Sequence, residues 1–354
     1  MRAVIRRNGK LVVDEMAPPT PAPGQLVAKS LVCGICGSDL HLLDHYDHMI
    51  DLTTRLGGVS QMRKGADTVF GHEFCCEVLE RQGAFKAGDV VVSLPVLIGP
   101  TGGDSIGLSS NVPGAFAETL CLSEQMTFKV PNGLAPEHAA LTEPLAVGEH
   151  AVAMGEPTAE HVFLVIGCGP VGLAVIASLK ARGLGPIVAA DFSPERRAMA
   201  ERIGADRIVD PAEVSPHASW AELGVPPSRA EALMAQAMGK SIKRPLIFEC
   251  VGVPGVIQSL AEAAPPGARI VVAGVCMETD RLEPLIFITK EIELRFVLGY
   301  SRDEFAASLG HLAEGRTRYS EIITGVVGLE ATPEAFVRLQ TDKSQIKILV
   351  APGR

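Results

Sequence analysis

Short apolar runs cut by proline and glycine fill the first third of the chain: Ala3–Ile5, Leu11–Val13, Leu26–Val32, Val69–Leu79, Val90–Leu94 and Ala115–Leu122. Runs of that length between turn residues predict short strands, and so an irregular β-rich lobe. Glu137–Met154 then keeps a helical period, apart from Pro144. Beyond it the rhythm changes. Val162–Ile166 is a buried-type strand, a helix-period stretch runs to Arg182, and Ile187–Ala190 is a second strand. Ser193 and Pro194 cap and open a helix to Ile203. Asp206–Val209, Pro245–Glu249 and Arg269–Ala273 read as further strands, and residues 230–239 and Val256–Ala264 as helices between them. This alternation predicts a doubly wound parallel sheet. Pro211–Ser228, with the single tryptophan Trp220, reads as a surface excursion. Leu285–Thr289 and Ile292–Leu298 are late apolar runs that read as edge strands, or, for Leu282–Phe287, as a cover over the sheet edge. Helices at Arg302–Glu314 and Thr332–Gln340 and a closing strand, Ile346–Val350, return the chain to the first lobe. Lys347 in that strand is expected to face solvent. The expected fold is α/β: residues 1–153 and 297–354 form the β-rich lobe, and 154–296 the parallel-sheet lobe.

The stretch His161–Asp191 carries the clearest chemistry. A strand leads into Gly167-Cys168-Gly169-Pro170-Val171-Gly172, then a helix, then a strand that ends in Asp191. Gly167 permits the tight turn, Gly169 lets backbone approach a pyrophosphate, and Gly172 lets helix and strand pack closely. The helix N-terminus offers free N–H groups to phosphates. Asp191 suits both hydroxyls of an adenosine ribose and repels a 2′-phosphate, which favours NAD over NADP. Arg196 reads either as a residue that reaches the adenine face or as an ordinary exposed arginine. Gly252 and Gly274 fall at strand ends, where the nicotinamide half of such a cofactor should lie.

The 354 residues are enough for two cored domains. A formal charge of −9 argues against nucleic acid or an anionic membrane as partner. The start of the chain lacks a signal-peptide core, and no apolar run reaches membrane-span length. Eight cysteines spread through the chain suit a reducing cytoplasm better than a disulfide framework.

Three spots in the first lobe offer zinc-type ligands: Cys33-Gly34-Ile35-Cys36-Gly37-Ser38-Asp39-Leu40-His41, Gly71-His72-Glu73 and Leu141-Thr142-Glu143-Pro144. A catalytic zinc needs three protein ligands and an open position, which Cys36, His72 and a carboxylate would supply. Read alone, Cys33 and Cys36 could also be half of a zinc ribbon or a redox pair. The ribbon lacks a second pair at the right spacing, and Gly37-Ser38 discourages the helix a redox motif should open. Cys33, Cys75, Cys76 and Cys168 read as packing thiols.

With Glu143-Pro144-Leu145 and the Gly167–Gly172 turn, these motifs stand in the order found in the zinc-dependent medium-chain alcohol dehydrogenases. The chain resembles that family over essentially its whole length, and within it the sorbitol, butanediol and threonine dehydrogenase branch. Glu249-Cys250-Val251-Gly252, Gly267–Gly274, Lys290–Gly299 and Ile346–Val350 fit its later segments. The resemblance implies a GroES-like catalytic domain beside a Rossmann domain. It implies catalytic zinc on Cys36, His72 and Glu73, with Glu143 as the remaining ligand or the carboxylate behind a bound water. Ser38 would relay the substrate proton and His41 would be the outer station of that relay. Bound zinc would acidify the substrate hydroxyl as it acidifies water, and a hydride would pass to the nicotinamide. Edge strands of the second lobe pair in the family, so a homodimer or homotetramer is implied.

The sequence departs from the family twice. Val90–Thr119 holds no cysteine where many members bind a second, structural zinc. One catalytic zinc and no structural zinc are therefore expected, with Pro95, Pro100, Gly102, Gly103 and Gly107 shaping the loop. The segment Leu42–Phe70 is long and carries Asp44, His45, Asp47, His48 and Asp51. It reads either as a solvated acidic helix or as a substrate-site lid or accessory metal site. The expected function is NAD-linked, zinc-dependent oxidation of a small alcohol or polyol to an aldehyde or ketone. The alternatives are a metal-free quinone or enone reductase of the same fold, or an NAD(H)-binding protein without turnover.

Overall fold

The computed structural model describes residues 1–99 and 102–354, so Pro100 lies outside the described residues. The chain divides into two units. The first comprises Met1–Glu143, Phe305–Gly315 and Ile322–Arg354; the second comprises Pro144–Glu304 and Arg316–Glu321.

The first unit opens with β1 (Arg2–Arg7) and β2 (Lys10–Glu15), an antiparallel pair, and then β3 (Gln25–Gly34). Most of β3 is buried, with Lys29 alone exposed, and the strand ends at the first ligand motif. A helix follows at once: α1 (Gly37–Arg55). Gly37 and Ser38 are poor helix openers on propensity, but Asp39 compensates. Its Oδ2 accepts the Cys36 N–H at 3.0 Å, as in a capping box. Leu42, Tyr46 and Ile50 form the buried stripe, whereas Asp44, Asp47 and His48 are exposed. The long segment therefore begins as a half-solvated amphipathic helix. After it come β4 (Thr68–Val69) and β5 (Glu73–Val78), the latter opening on the second ligand motif. Then follow β6 (Val90–Ser93), the hairpin of β7 (Val96–Gly99) and β8 (Gly102–Ser105), β9 (Thr119–Ser123) and β10 (Thr127–Lys129). The expected helix over Glu137–Met154 is two helices, α2 (Pro136–Ala139) and α3 (Thr142–Gly155). Pro144 explains the break: it is tolerated only in a first turn, so a new helix starts just before it.

The second unit is built on β11 (His161–Ile166), whose Val162–Val165 are all buried, as a central parallel strand requires. Next come α4 (Pro170–Ala181), buried from Gly172 to Leu179, and β12 (Ile187–Ala190). They are followed by α5 (Pro194–Ile203), β13 (Arg207–Val209), α6 (Arg229–Ala237) and β14 (Arg244–Glu249). The unit's sheet is completed by α7 (Val256–Ala263), β15 (Arg269–Val272), α8 (Pro284–Lys290) and β16 (Glu293–Phe296). The six strands lie in the order β13-β12-β11-β14-β15-β16 and are all parallel. That order reverses beside β11, the doubly wound topology with its switch point at the glycine turn.

Two expectations for this unit need correction. Leu285–Thr289 is a helix, not an edge strand. Pro284 presets its first turn, and Ile286 and Phe287 pack on the core while Leu285 and Ile288 face out. The Pro211–Ser228 excursion is anchored: Trp220 is buried among Val162, Val188 and Ile247, and its indole N–H donates to His217 Nδ1 at 3.0 Å. A large indole with a satisfied N–H belongs in such a core.

The chain closes with α9 (Arg302–Ala313), β17 (Ile323–Val327), α10 (Thr332–Thr341) and β18 (Lys347–Val350). The last strand completes a sheet of order β10-β6-β5-β3-β18-β17, with β9 also paired to β3. The ends of β3, β5 and β18 thereby meet: Gly34 pairs with Glu73 and with Leu349. Among the described residues, no helix is long and apolar enough to cross a membrane.

Candidate metal centre and cofactor turn

The meeting of β3, α1, β5 and β18 brings the ligand motifs together. One ligand atom each of Cys36, His72 and Glu73 lie within 4.8 Å of one another. Among the described residues they are the one group of three or more such side chains that converges in this way. The histidines and aspartates after Leu42 do not form a second group. Gly34 makes the room: a Cβ there would stand 2.0 Å from Glu73 Oε2.

Residues that sequence reasoning passed over build the surroundings. His72 Nδ1 faces Asp39 Oδ1 at 3.5 Å, and neither atom has a hydrogen-bond partner elsewhere among the described residues. This arrangement orients the imidazole and leaves Nε2 for an ion. Burial disfavours a charged imidazole, yet Asp39 and Cys36 outweigh it and hold the His72 pKa well above its usual value. Asp39 could have been noticed, three residues after Cys36 in a capping pattern.

Lys347 is the larger correction. It does not face solvent; it is 0% exposed. Its Nζ donates to both Glu73 oxygens, at 2.7 and 2.8 Å, and to the Ile35 carbonyl at 3.0 Å. Burial alone would lower its pKa, but Glu73, with smaller help from Cys36 and Glu143, holds it above the ordinary lysine value. Glu143 sits buried in the first turn of α3. It is near enough to act on Lys347 but is outside the three-residue group.

Ser38 lies on the same helix, its Oγ 3.4 Å from His72 Nε2. His41 follows at i+3, so the two share a face of α1. It is half-buried, and burial, helped by the positive charge His45 can carry, pushes its pKa down. Such an imidazole stays neutral, and able to accept a proton, to lower pH than usual.

In the second unit the glycine turn has the expected form. Gly172 has no room for a side chain, since a Cβ would fall 1.8 Å from the Gly167 carbonyl oxygen. Gly169, the N-cap of α4, is open by contrast: the nearest atom to a Cβ there is Arg196 Nη1 at 3.9 Å. Pro170 and Val171 begin the helix, where amides lack intrahelical acceptors. Asp191, directly after β12, accepts from the Cys168 N–H at 2.7 Å and the Ser193 N–H at 2.8 Å. Arg196 Nε is buried with no hydrogen-bond partner among the described residues. An open N-terminus, an unspent guanidinium donor and a carboxylate at the strand end together fit a ligand with both phosphate and ribose.

Known proteins match the chain along its whole length. Residues 22–132 match the family described as alcohol dehydrogenase GroES-like domain, and residues 170–314 that described as zinc-binding dehydrogenase. The (R,R)-butanediol dehydrogenase of Bacillus subtilis strain 168 is 32% identical over 373 residues, covering 100% of each chain. The sorbitol dehydrogenase of the same organism is 26% identical, covering 100% of this chain and 98% of its own. The crystal structure of 2R,3R-butanediol dehydrogenase from Bacillus subtilis superposes with a TM-score of 0.78 at 31% identity over 99% of each chain.

Proposed function

Because the chain belongs to the zinc-dependent medium-chain alcohol dehydrogenases, we propose that it oxidises a small secondary alcohol, diol or polyol to the carbonyl compound with NAD, using one catalytic zinc. The observation that carries this reading is the convergence of Cys36, His72 and Glu73 within 4.8 Å. In a metal-free reductase or a pure binding protein that grouping would have no purpose.

Cys36, His72 and Glu73 would hold the zinc, with Glu143 as a further carboxylate. The glycine turn, Asp191, Arg196 and the loops at Gly252 and Gly274 would hold the dinucleotide. Bound zinc would supply Lewis acidity toward the substrate hydroxyl, and bound oxidised nicotinamide would supply the hydride acceptor. The chain's own residues do the rest. Ser38 takes the hydroxyl proton and His41, its pKa lowered chiefly by its half-buried place on α1, receives it. Asp39 fixes the His72 ring. Lys347 balances the charge of Glu73, so the site does not gather two uncompensated anions. Asp191 binds ribose hydroxyls and excludes a 2′-phosphate. The eight free cysteines support a cytoplasmic setting, and the family's habit of edge pairing supports a dimer or tetramer.

The test is NADH formation on a panel of secondary alcohols, 2,3-diols and polyols, before and after chelation and after zinc is restored. Zinc-restorable activity on one of these classes supports the reading. Enone or quinone reduction that survives chelation, with no alcohol oxidised, overturns it.

A further inference from the structure

Three valines stand exposed at the carboxyl ends of two neighbouring strands of the second unit. Val251 and Val253 follow β14 and Val275 follows β15; they are 41, 46 and 45% exposed. Open α/β sheets bind their ligands at these strand ends, and apolar side chains left uncovered there make a platform for a flat apolar group.

The two loops that present the valines are wedged together. A Cβ on Gly274 would stand 2.4 Å from the Gly252 amide nitrogen, and one on Gly252 2.6 Å from that of Val275. Gly252 also has a φ of +70°, which only glycine adopts without strain. Contacts this close hold only if something fixes the register between the loops.

Glu249, the last residue of β14, does so. It is 1% exposed. Its Oε1 accepts from the N–H of Val251 at 2.7 Å and of Gly252 at 2.9 Å. Its Oε2 lies against Gly274, 2.6 Å from where a Cβ would be. Its main-chain carbonyl accepts from the N–H of Ala273 and of Gly274, both at 2.9 Å. One residue thus ties down both loops. A buried carboxylate is costly to keep unless hydrogen bonds compensate it. Here the compensating donors are the loop amides themselves, so the loop shape and the carboxylate depend on each other.

We propose that Glu249 is a positioning residue for the nicotinamide half of the cofactor. Its carboxylate holds the Val251–Gly252 loop against Gly274–Val275, so the valine platform exists before the ring arrives. This rests on the cofactor reading given above. The adenosine half has its own anchors. Asp191 grips the glycine turn through Cys168, and the Gly167 N–H donates to the Ala190 carbonyl at 2.9 Å. Val251 also packs beside the glycine turn, where a Cβ on Gly167 would stand 2.8 Å from its Cγ2, so loss of Glu249 should be felt more by a complete dinucleotide than by ADP-ribose, which lacks the nicotinamide.

The experiment is calorimetric binding of NADH and of ADP-ribose to the zinc-replete protein, as wild type, Glu249→Ala and Glu249→Gln. In Glu249→Ala, NADH should weaken about tenfold or more, while ADP-ribose stays within about twofold. Glu249→Gln keeps one acceptor oxygen and should show the same selectivity with a smaller loss. If Glu249→Ala does not fold, Glu249→Gln decides on the same criterion. Unchanged NADH binding overturns the proposal, and so does equal weakening of both ligands, which would give Glu249 a role in folding alone. Wild-type protein that binds neither ligand refutes the cofactor reading instead.

Discussion

Lys347 Nζ stands 2.7 and 2.8 Å from the two carboxylate oxygens of Glu73, and both side chains are closed off from solvent. A buried pair of this kind adds little net stability, but removing one partner strands a charge. Lys347→Met should therefore destabilise the metal-free protein by about 3–5 kcal/mol. The loss should shrink when zinc is saturating, because Glu73 then gains another cation. Denaturant unfolding with and without zinc measures both. An equal loss in the two forms would mean that Glu73 does not answer to the metal.

Ser38 is the first proton acceptor in this account. Ser38→Ala should lower turnover by about a hundredfold or more, within the usual range for general acid–base groups. Zinc content and NADH affinity should be unchanged. Steady-state kinetics on the best alcohol, beside elemental analysis, tests this; near-normal turnover would remove Ser38 from the proton path.

Asp191 should decide between the two nicotinamide cofactors. Asp191→Gly gives up the charged acceptor for ribose hydroxyls, so kcat/KM with NAD should fall about tenfold or more. The ratio of NADP to NAD use should rise with it. A ratio that does not move would assign Asp191 only to the Cys168 and Ser193 amides that it holds.

His217 predicts an acid-sensitive fold. Burial, with Lys290 adding to it, pushes its pKa down from 6.5 to about 4. A histidine with a depressed folded pKa contributes stability above its unfolded value and loses it as pH falls through the folded one. Stability should thus decline from about pH 6.5 toward pH 4. His217→Gln keeps an acceptor for the Trp220 indole and should flatten that decline. Trp220, the single tryptophan, reports unfolding by fluorescence. The same slope in both proteins would remove His217 as the cause.

Much of this was legible in the sequence because the signals are local. The apolar run, glycine turn, helix and Asp191 occupy 31 consecutive residues, His161–Asp191, and each part constrains the next. Cys36 and His72 stand in short motifs with unusual composition. What stayed hidden depends on contacts distant in sequence. Lys347 looks like an ordinary strand residue until β18 is laid beside β3 and Glu73, 274 residues away. The helix at Gly37 depends on one carboxylate, Asp39, overriding weak propensity. Leu285–Thr289 is apolar on every side, so period alone could not separate strand from helix; Pro284 was the neglected signal.

Cys36, His72 and Glu73 are proposed to hold a single catalytic zinc. Elemental analysis of protein purified without chelator, beside Cys36→Ser prepared identically, tests it most directly. About one zinc per chain in the wild type, lost in Cys36→Ser, is the result predicted for a three-ligand catalytic site. No zinc even when zinc is supplied, or full zinc retained by Cys36→Ser, would contradict it.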